Sequence, residues 1–190
     1  MTSQLRMKAL TILAFSTLSV MAQLRWLHSQ AVDIIYCDSL NVAVQASWTL
    51  RPADIKKNVK RSSFRFTPDD RVGFVMPNNI DYLLSGYDRG HLCPAADRSS
   101  NASLMKQTFV LSNVVPQLPA LNRGAWKHYE AHTRALLPEH DSLKVVVSCL
   151  WYNADTSFIG VHRLAVPHAF VKQVFDASTM TLIETRYFNH

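Results

Sequence analysis

The order of strand-like and helix-like segments constrains the fold of this chain more than any single residue does. Residues 31–37 and 42–50 cluster apolar residues as strands do, and the turn-forming residues 38–41 separate them. The β-branched, apolar stretches 108–115 and 143–151 predict two buried strands. Further strands are predicted within residues 161–175 and 179–188.

Helices fall between these strands without a regular rhythm. A short helix is predicted at residues 104–107, beginning near Ser100 or Asn101. Residues 121–137 have helical composition, and the segment stops before Pro138. Because strands and helices do not alternate as they do in βαβ units, the sequence predicts an α+β domain.

Composition and length limit the class of protein. A chain of 190 residues with 48% apolar residues is long enough for one domain with a substantial core and short for two. The net charge of +6 favours polyanionic partners, although it suits any basic protein equally well. Three scattered cysteines, Cys37, Cys93 and Cys149, do not form a disulfide framework, and we predict buried thiols.

The first residues are typical of a secretory signal. A short basic start is followed by the apolar run 9–22, which ends in the small-residue pattern Val20-Met21-Ala22. This run is short for a membrane span, so we predict a signal peptide at 1–22 and a folded domain at 23–190. An exported protein, periplasmic or extracellular, without stable membrane association after cleavage, is the expected outcome. An uncleaved membrane anchor is the alternative.

Two clusters carry residues suited to catalysis, and the first is Asp88-Arg89-Gly90-His91. A histidine takes up a proton near neutral pH, so His91 suits the activation of a water beside a phosphodiester. Arg89 offers a fixed fork of donors to a phosphate. Gly90 lets the chain turn between Arg89 and His91 and allows the close approach of a ligand. Without further context, a surface histidine near an ion pair is the commoner explanation.

The second cluster begins at Ser112-Asn113 and continues into the predicted helix. On a regular helix, Asn122 and Glu130 would lie about 80° apart around the axis and about 12 Å along it. Their oxygens could then flank one hard cation. Arg134 follows one turn later, where it could contact a phosphate or pair with Glu130 at i,i+4.

The two clusters together resemble the DNA/RNA non-specific endonuclease family, the ββα-metal nucleases that include endonuclease G. The family pattern D-R-G-H, followed by a small residue after four further positions, is met by residues 88–96. The pattern T-F-x-x-S-N-x-x-P-Q-x-x-x-L-N-x-G-x-W-x-x-x-E is met by residues 108–130. So many fixed positions at fixed spacing make chance agreement very improbable. A looser likeness covers most of residues 23–190.

This resemblance implies a mixed, mainly antiparallel sheet with helices and a ββα-metal motif. It implies a metal-dependent enzyme that hydrolyses phosphodiester bonds of DNA and RNA without sequence specificity and leaves 5′-phosphate ends. His91 would be the general base, and Asn122 would be the direct protein ligand of Mg²⁺, with Mn²⁺ as the alternative ion. Glu130 would hold metal-bound waters.

The remaining roles concern the substrate. The resemblance implies that Arg89 and Arg134 contact phosphate oxygens and that Asn113 orders the site. The family also uses an arginine upstream of the D-R-G-H motif. In this chain Arg61 or Arg65 would fill that place, within the basic stretch 56–71 that we otherwise expect to be a solvated loop. The spacing does not decide between the two.

The chain departs from the family pattern at a few positions. Cys93 stands where an alanine is common, and Ser148-Cys149 replaces a usual Thr-Gly. These changes leave the catalytic positions intact.

Three alternatives to a nuclease remain open from sequence. A zinc peptidase is suggested by His128 and His132 at i,i+4, but Tyr129 stands where the zincin motif requires glutamate. A cysteine hydrolase would require His91 and Cys93 to lie side by side. The third alternative is a non-catalytic nucleic-acid-binding relative with the same fold.

Overall fold

The computed structural model describes residues 24–73, 75–152 and 155–190, and the predicted signal peptide 1–22 lies outside them. In this part of the chain a six-stranded sheet is the main element, with strand order β1-β2-β3-β6-β9-β10 and antiparallel pairing throughout. Its strands are β1 (Leu24–Leu27), β2 (Asp33–Cys37), β3 (Val42–Leu50), β6 (Leu143–Leu150), β9 (Ala169–Asp176) and β10 (Leu182–Asn189).

Two short ribbons accompany the sheet. The first joins β4 (Asp88–His91) to β5 (Val114–Gln117), and the second joins β7 (Phe158–Ile159) to β8 (Leu164–Ala165). The helices are α1 (Ala102–Thr108), the short α2 (Pro119–Leu121) and α3 (Lys127–Ala135), and the π-helical segment Asn122–Trp126 joins the last two. Single 3₁₀ turns occur at Pro52–Ile55, Arg61–Ser63, Asp70–Val72, Asn79–Tyr82, Ala95–Arg98, Leu111–Asn113 and Leu137–Glu139.

Alternating burial explains why the central strands form. In β6 every second residue is fully buried and the intervening residues are half-buried, which is the two-residue period of a strand with one face on the core. β10 lies at the edge of the sheet and buries far less. Trp126 anchors the π-helical segment on this sheet, because its ring packs edge-on against Phe170 and Phe188, with centroids 5.3 and 5.1 Å away.

The predicted fold class is confirmed, and most predicted elements are present. The predicted strands 42–50 and 143–151 match β3 and β6, and α1 begins after Asn101, whose side chain accepts from Ser103 N and Leu104 N as an N-cap. The three cysteines are free and buried, as predicted. None of the described helices is both long and apolar enough to span a bilayer.

Two predicted strands were wrong in extent. Residues 108–115 are not one strand: α1 ends at Thr108, a 3₁₀ turn follows, and β5 begins only at Val114. This run is buried because it crosses the core as an irregular segment, and the Asn113 side chain replaces ladder hydrogen bonds there. The predicted strand 161–175 is split at Pro167, which lacks the N–H that a ladder requires.

Candidate active site

The β4–β5 ribbon places the first cluster. Asp88 pairs with Gln117 and His91 pairs with Val114, so the four motif residues lie on a strand rather than in a loop. Residues two apart on a strand share a face, and Arg89 and His91 both reach the ring of Phe66. The Arg89 guanidinium lies 5.1 Å from the Phe66 centroid, and the His91 ring lies 5.0 Å from it.

His91 is buried between two phenylalanines. Its ring also packs edge-on against Phe109, with centroids 5.1 Å apart, and the residue is 8% exposed. Its Nε2 has no hydrogen-bond partner among the described residues. Burial, together with the charge of Arg61, lowers the pKa of His91 to about 3. The imidazole is therefore neutral at neutral pH and free to accept a proton.

Gly90 is required by close packing rather than by a turn. A Cβ at this position would lie 2.3 Å from Oε1 of Gln117, which is fully buried on the paired strand. The sequence interpretation of Gly90 as a turn residue is thus wrong, because Gly90 lies within β4 and packs against Gln117. The close approach of a ligand at Gly90 stays a prediction. Sequence reasoning missed Gln117 as the partner.

Asn113 ties the chain beyond His91 to the body of the protein. Its fully buried side chain accepts from Cys93 N at 3.0 Å and donates to the carbonyls of Cys93 and Thr108 at 2.9 Å each. The backbone carbonyl of Asn113 accepts from Leu92 N at 3.0 Å. Both residues that follow His91 are therefore fixed by one asparagine.

Asp88 connects the ribbon to the helical segment. It accepts from Asn122 Nδ2 at 2.9 Å and from Nε and Nη2 of Arg123 at 2.7 and 2.6 Å. The Arg123 hydrogen bonds, more than any other contact, lower the pKa of Asp88. The Asn122 amide is thereby oriented, and its Oδ1 receives no hydrogen bond from the described residues.

The helix that carries Asn122 and Glu130 is not regular. Asn122 opens the π-helical segment, in which Gly124 leaves helical geometry with φ −102° and ψ −110°. The predicted regular-helix angle and separation between Asn122 and Glu130 therefore do not apply. A π-helical turn inserts a residue relative to the α-helical repeat and rotates whatever precedes it.

Glu130 and Arg134 both lie on α3, and Arg134 contacts the buried side chain of Asp97. Burial raises the pKa of the half-buried Glu130 to about 7. Arg134 does not pair with Glu130 as the i,i+4 alternative required: its Nη1 donates to Asp97 Oδ1 at 2.9 Å. Asp97 also accepts from Trp48 Nε1 at 2.9 Å, so Arg134 is tethered to a fixed acid.

Lys172 is the charged residue that sequence reasoning missed here. It is 1% exposed, and its ammonium lies 4.0 Å from the centroid of the Trp126 ring. Burial lowers the pKa of Lys172, and the charges of Glu130 and Asp97 oppose that change. The sequence could have indicated this burial, because Lys172 lies midway between Phe170 and Val174 on the inward face of a strand with a two-residue period.

The structure separates the two upstream arginines. Arg61 lies over the Phe109 ring, with its guanidinium carbon 5.6 Å from the centroid, and its charge acts on His91. Arg65 instead donates from Nη1 to the carbonyls of Ser62 and Phe64 at 2.9 and 3.1 Å, within its own loop. Of the two, Arg61 lies against the aromatic residues that surround His91.

A divalent cation fits the oxygen donors at this site. The oriented Asn122 offers Oδ1, and Glu130 offers a carboxylate, which are the hard oxygen ligands that Mg²⁺ prefers. Within the described ranges no three His, Cys, Asp or Glu side chains cluster as a metal centre. A site made of one amide oxygen, an acid that holds bound waters, and phosphate oxygens does not require such a cluster.

The surroundings of Cys93 and of the two α3 histidines do not favour the cysteine hydrolase or the zinc peptidase. Burial strongly raises the pKa of the Cys93 thiol, which is unsuited to a thiolate nucleophile. On the other face of α3, His132 Nε2 lies 2.9 Å from both carboxylate oxygens of Glu184, while His128 is exposed.

Residues 17–188 match the model of the family described as DNA/RNA non-specific endonuclease. The chain belongs to this family. Endonuclease G, mitochondrial, of Bos taurus is 36% identical over 147 residues, which are 72% of this chain and 49% of that protein. The Homo sapiens protein of the same name is 35% identical over 147 residues, covering 72% of this chain and 50% of its own length.

The likeness extends to three dimensions. A chain from a crystal structure of the EndoG/EndoGI complex superposes with a TM-score of 0.79 and 28% identity, covering 90% of this chain and 76% of that one. The DNA/RNA non-specific endonuclease family comprises divalent-metal-dependent nucleases. The predicted family and fold are confirmed. The chain spans about half the length of the curated relatives it matches.

The predicted export is contradicted by the same comparison. Both endonuclease G relatives are mitochondrial proteins, not periplasmic or extracellular ones. The physical reason lies in the N-terminal pattern: basic residues, serines and an absence of acids occur in organellar targeting segments as well as in secretory signals. Residues 1–22 therefore did not justify an assignment to the exported class.

Proposed function

We propose that this chain is a metal-dependent endonuclease that hydrolyses phosphodiester bonds in DNA and RNA without sequence specificity. One observation carries the proposal: a buried neutral histidine with an unpartnered ring nitrogen lies beside two arginines at the family motif. Family membership and the endonuclease G relatives support the same reaction class.

His91 acts as the general base in this proposal. It takes a proton from a water whose oxygen bonds to phosphorus, and the bond from phosphorus to the 3′-oxygen breaks. The departing 3′-oxygen takes a proton from solvent water, which leaves 5′-phosphate and 3′-hydroxyl ends. A base with a pKa of about 3 is weak, but an anionic phosphate beside it favours the imidazolium and raises that pKa once substrate binds.

Three arginines hold the phosphates. Arg89 is positioned by Asn79 Oδ1, which accepts from its Nη1 at 2.8 Å, and Arg134 is positioned by Asp97. Arg61 completes the set, with Arg65 as a loop residue outside it. Such contacts read the phosphate backbone, which DNA and RNA share, so they carry no sequence information.

Asn122 and Glu130 would hold the divalent cation, Asn122 through its amide oxygen and Glu130 through bound waters. We assign Mg²⁺ on the basis of these oxygen donors, with Mn²⁺ as a substitute. When bound, the ion supplies Lewis-acid stabilisation of the charge that develops on the phosphate and the leaving oxygen. Asn113 acts at a distance by fixing the backbone after His91.

The test is digestion of plasmid DNA and of total RNA by the purified chain with Mg²⁺, with Mn²⁺ and with excess EDTA. We expect metal-dependent degradation of both nucleic acids and 5′-phosphate ends on the fragments. A folded protein that binds but cleaves neither would instead be the non-catalytic relative, and sequence-restricted fragments would contradict non-specific cleavage.

Asn122→Ala tests the metal ligand. It removes the amide oxygen, so the Mg²⁺ concentration for half-maximal cleavage should rise at least about tenfold, or activity should disappear. The exposed His128→Ala is the control, since it lies on the other side of α3 from Glu130. An unchanged Mg²⁺ titration for Asn122→Ala would remove this residue from the metal site.

A further inference from the structure

A cavity of about 540 Å³ lies next to the proposed site, and the mechanism above does not use it. Its volume falls in the roughly 300–1,000 Å³ range of small-molecule sites. Arg61 and Arg134, two of the proposed phosphate contacts, form part of its wall. Ala131 on α3 is also part of the wall and directly follows Glu130.

The lining is mostly apolar. Ile55, Val59 and Met105 contribute larger side chains, and Ala131 and Ala135 contribute methyl groups from consecutive turns of α3. A flat, partly apolar group of moderate size would contact these side chains on entering the cavity.

Polar side chains in the wall are few: Lys57, Arg61, Arg134 and Ser99. Lys57 joins the two arginines as a third cation, and the Ser99 hydroxyl already accepts from the Lys57 backbone N–H at 3.2 Å. The wall thus lacks the converging donors and acceptors that would distinguish one base edge from another. It offers apolar contact to any base and positive charge to an adjoining phosphate.

We propose that this cavity receives the base of an unpaired nucleotide that adjoins the phosphate held by Arg61 and Arg134. The inference rests on the proposed nuclease function and adds a substrate class, single-stranded or locally unpaired nucleic acid. Bases within a duplex are stacked and paired, so one of them enters a recessed cavity only after unstacking, which costs free energy. Contact without hydrogen-bond readout keeps the recognition tolerant of sequence.

The experiment measures binding in EDTA, where cleavage does not occur. Fluorescence anisotropy compares a labelled single strand of about 12 nucleotides with a duplex of the same sequence. We expect the single strand to bind more tightly. Ala131→Leu and Ala135→Leu fill the cavity and should weaken single-strand binding roughly tenfold while changing duplex binding less than about twofold.

Ala125→Leu is the matched control. It makes the same change in the adjoining π-helical segment, where Ala125 lines a separate cavity with His128, Tyr129 and Arg186. It should leave the single-strand to duplex ratio unchanged, and circular dichroism verifies that each variant is folded. Equal wild-type affinity for the two forms, or a cavity variant whose ratio matches wild type, would overturn the proposal. If the wild-type protein binds the single strand more tightly than the duplex but does not cleave nucleic acid in Mg²⁺, only the nuclease proposal fails.

Discussion

His91 shows how burial gives a single residue its chemical state. Two phenylalanine rings exclude water from the imidazole, and the charge of Arg61 adds to that effect, so the neutral form prevails. A histidine on the surface would be partly protonated near its ordinary pKa and partly unable to accept a proton.

His91→Ala removes the proposed base. Cleavage should fall by about 10²- to 10⁴-fold, the usual contribution of general acid–base catalysis, as measured by initial rates on plasmid DNA. Circular dichroism should show a folded protein. The exposed His128→Ala should cleave normally, and a His91→Ala rate within about threefold of wild type would exclude His91 as the base.

Arg61 and Arg65 form a matched pair for testing the phosphate contact. Each replacement by alanine removes one positive charge from the same exposed loop, but only Arg61 lies against the residues around His91. Arg61→Ala should reduce the slope of log K against log salt by about one, because one fewer counterion is released on binding.

Anisotropy with a DNA duplex in EDTA across a salt series provides this slope. Arg65→Ala should retain the wild-type slope. Equal slopes for the two variants would show that position in the loop does not matter and that Arg61 is not a specific contact.

At the scale of elements, the β4–β5 ribbon and the kinked helix hold the two halves of the site together. Asp88 on β4 hydrogen-bonds Asn122 at the start of the π-helical segment, and Trp126 Nε1 donates to the His91 carbonyl at 3.3 Å. The position of one element therefore depends on the other.

Gly90→Ala tests the packing of the ribbon. The added Cβ would meet the buried Gln117 side chain at 2.3 Å, and overpacking of this kind costs about 1–3 kcal/mol. Urea unfolding should show this loss, and cleavage should fall as well because His91 is on the displaced strand. The double variant Gly90→Ala/Gln117→Ala removes the clash and should regain much of the stability. If the double variant is no more stable than Gly90→Ala, close approach is not the reason for glycine.

At the scale of the whole molecule, two ionisable groups with shifted pKa values, His91 and Glu130, affect stability in opposite directions with pH. Between about pH 3 and 6.5 the unfolded chain binds a proton at His91 that the folded chain does not, so acidification through this window destabilises the fold. Glu130 has a raised pKa of about 7, so between about pH 4.5 and 7 the folded chain holds the extra proton. Raising the pH through that window is therefore destabilising.

Replacing either group should reveal the pH dependence of stability that the other group contributes. In EDTA, His91→Asn should lose stability with rising pH more steeply than wild type between about pH 4.5 and 6.5, and Glu130→Gln should gain it more steeply. Each difference in slope is at most about 1.4 kcal/mol per pH unit. Urea unfolding at several pH values measures it, and curves parallel to wild type would show that these groups keep ordinary pKa values when folded.

The sequence by itself determined the family, the α+β class and the candidate site residues. Fixed residues at fixed spacing specify a motif, and two-residue alternation specifies strands such as β3 and β6, because both signals are local. The sequence misjudged the location of the protein, because several kinds of targeting segment share one composition.

Tertiary structure alone decided the surroundings of those residues. The burial of His91 depends on Phe66 and Phe109, which are distant in sequence, and the position of Arg61 rather than Arg65 over the Phe109 ring depends on how the loop folds. The partner of Arg134 proved to be Asp97, 37 residues away, instead of the neighbouring Glu130. Burial, charge proximity and cavity shape arise from contacts between distant segments, and a local pattern does not encode which segments will meet.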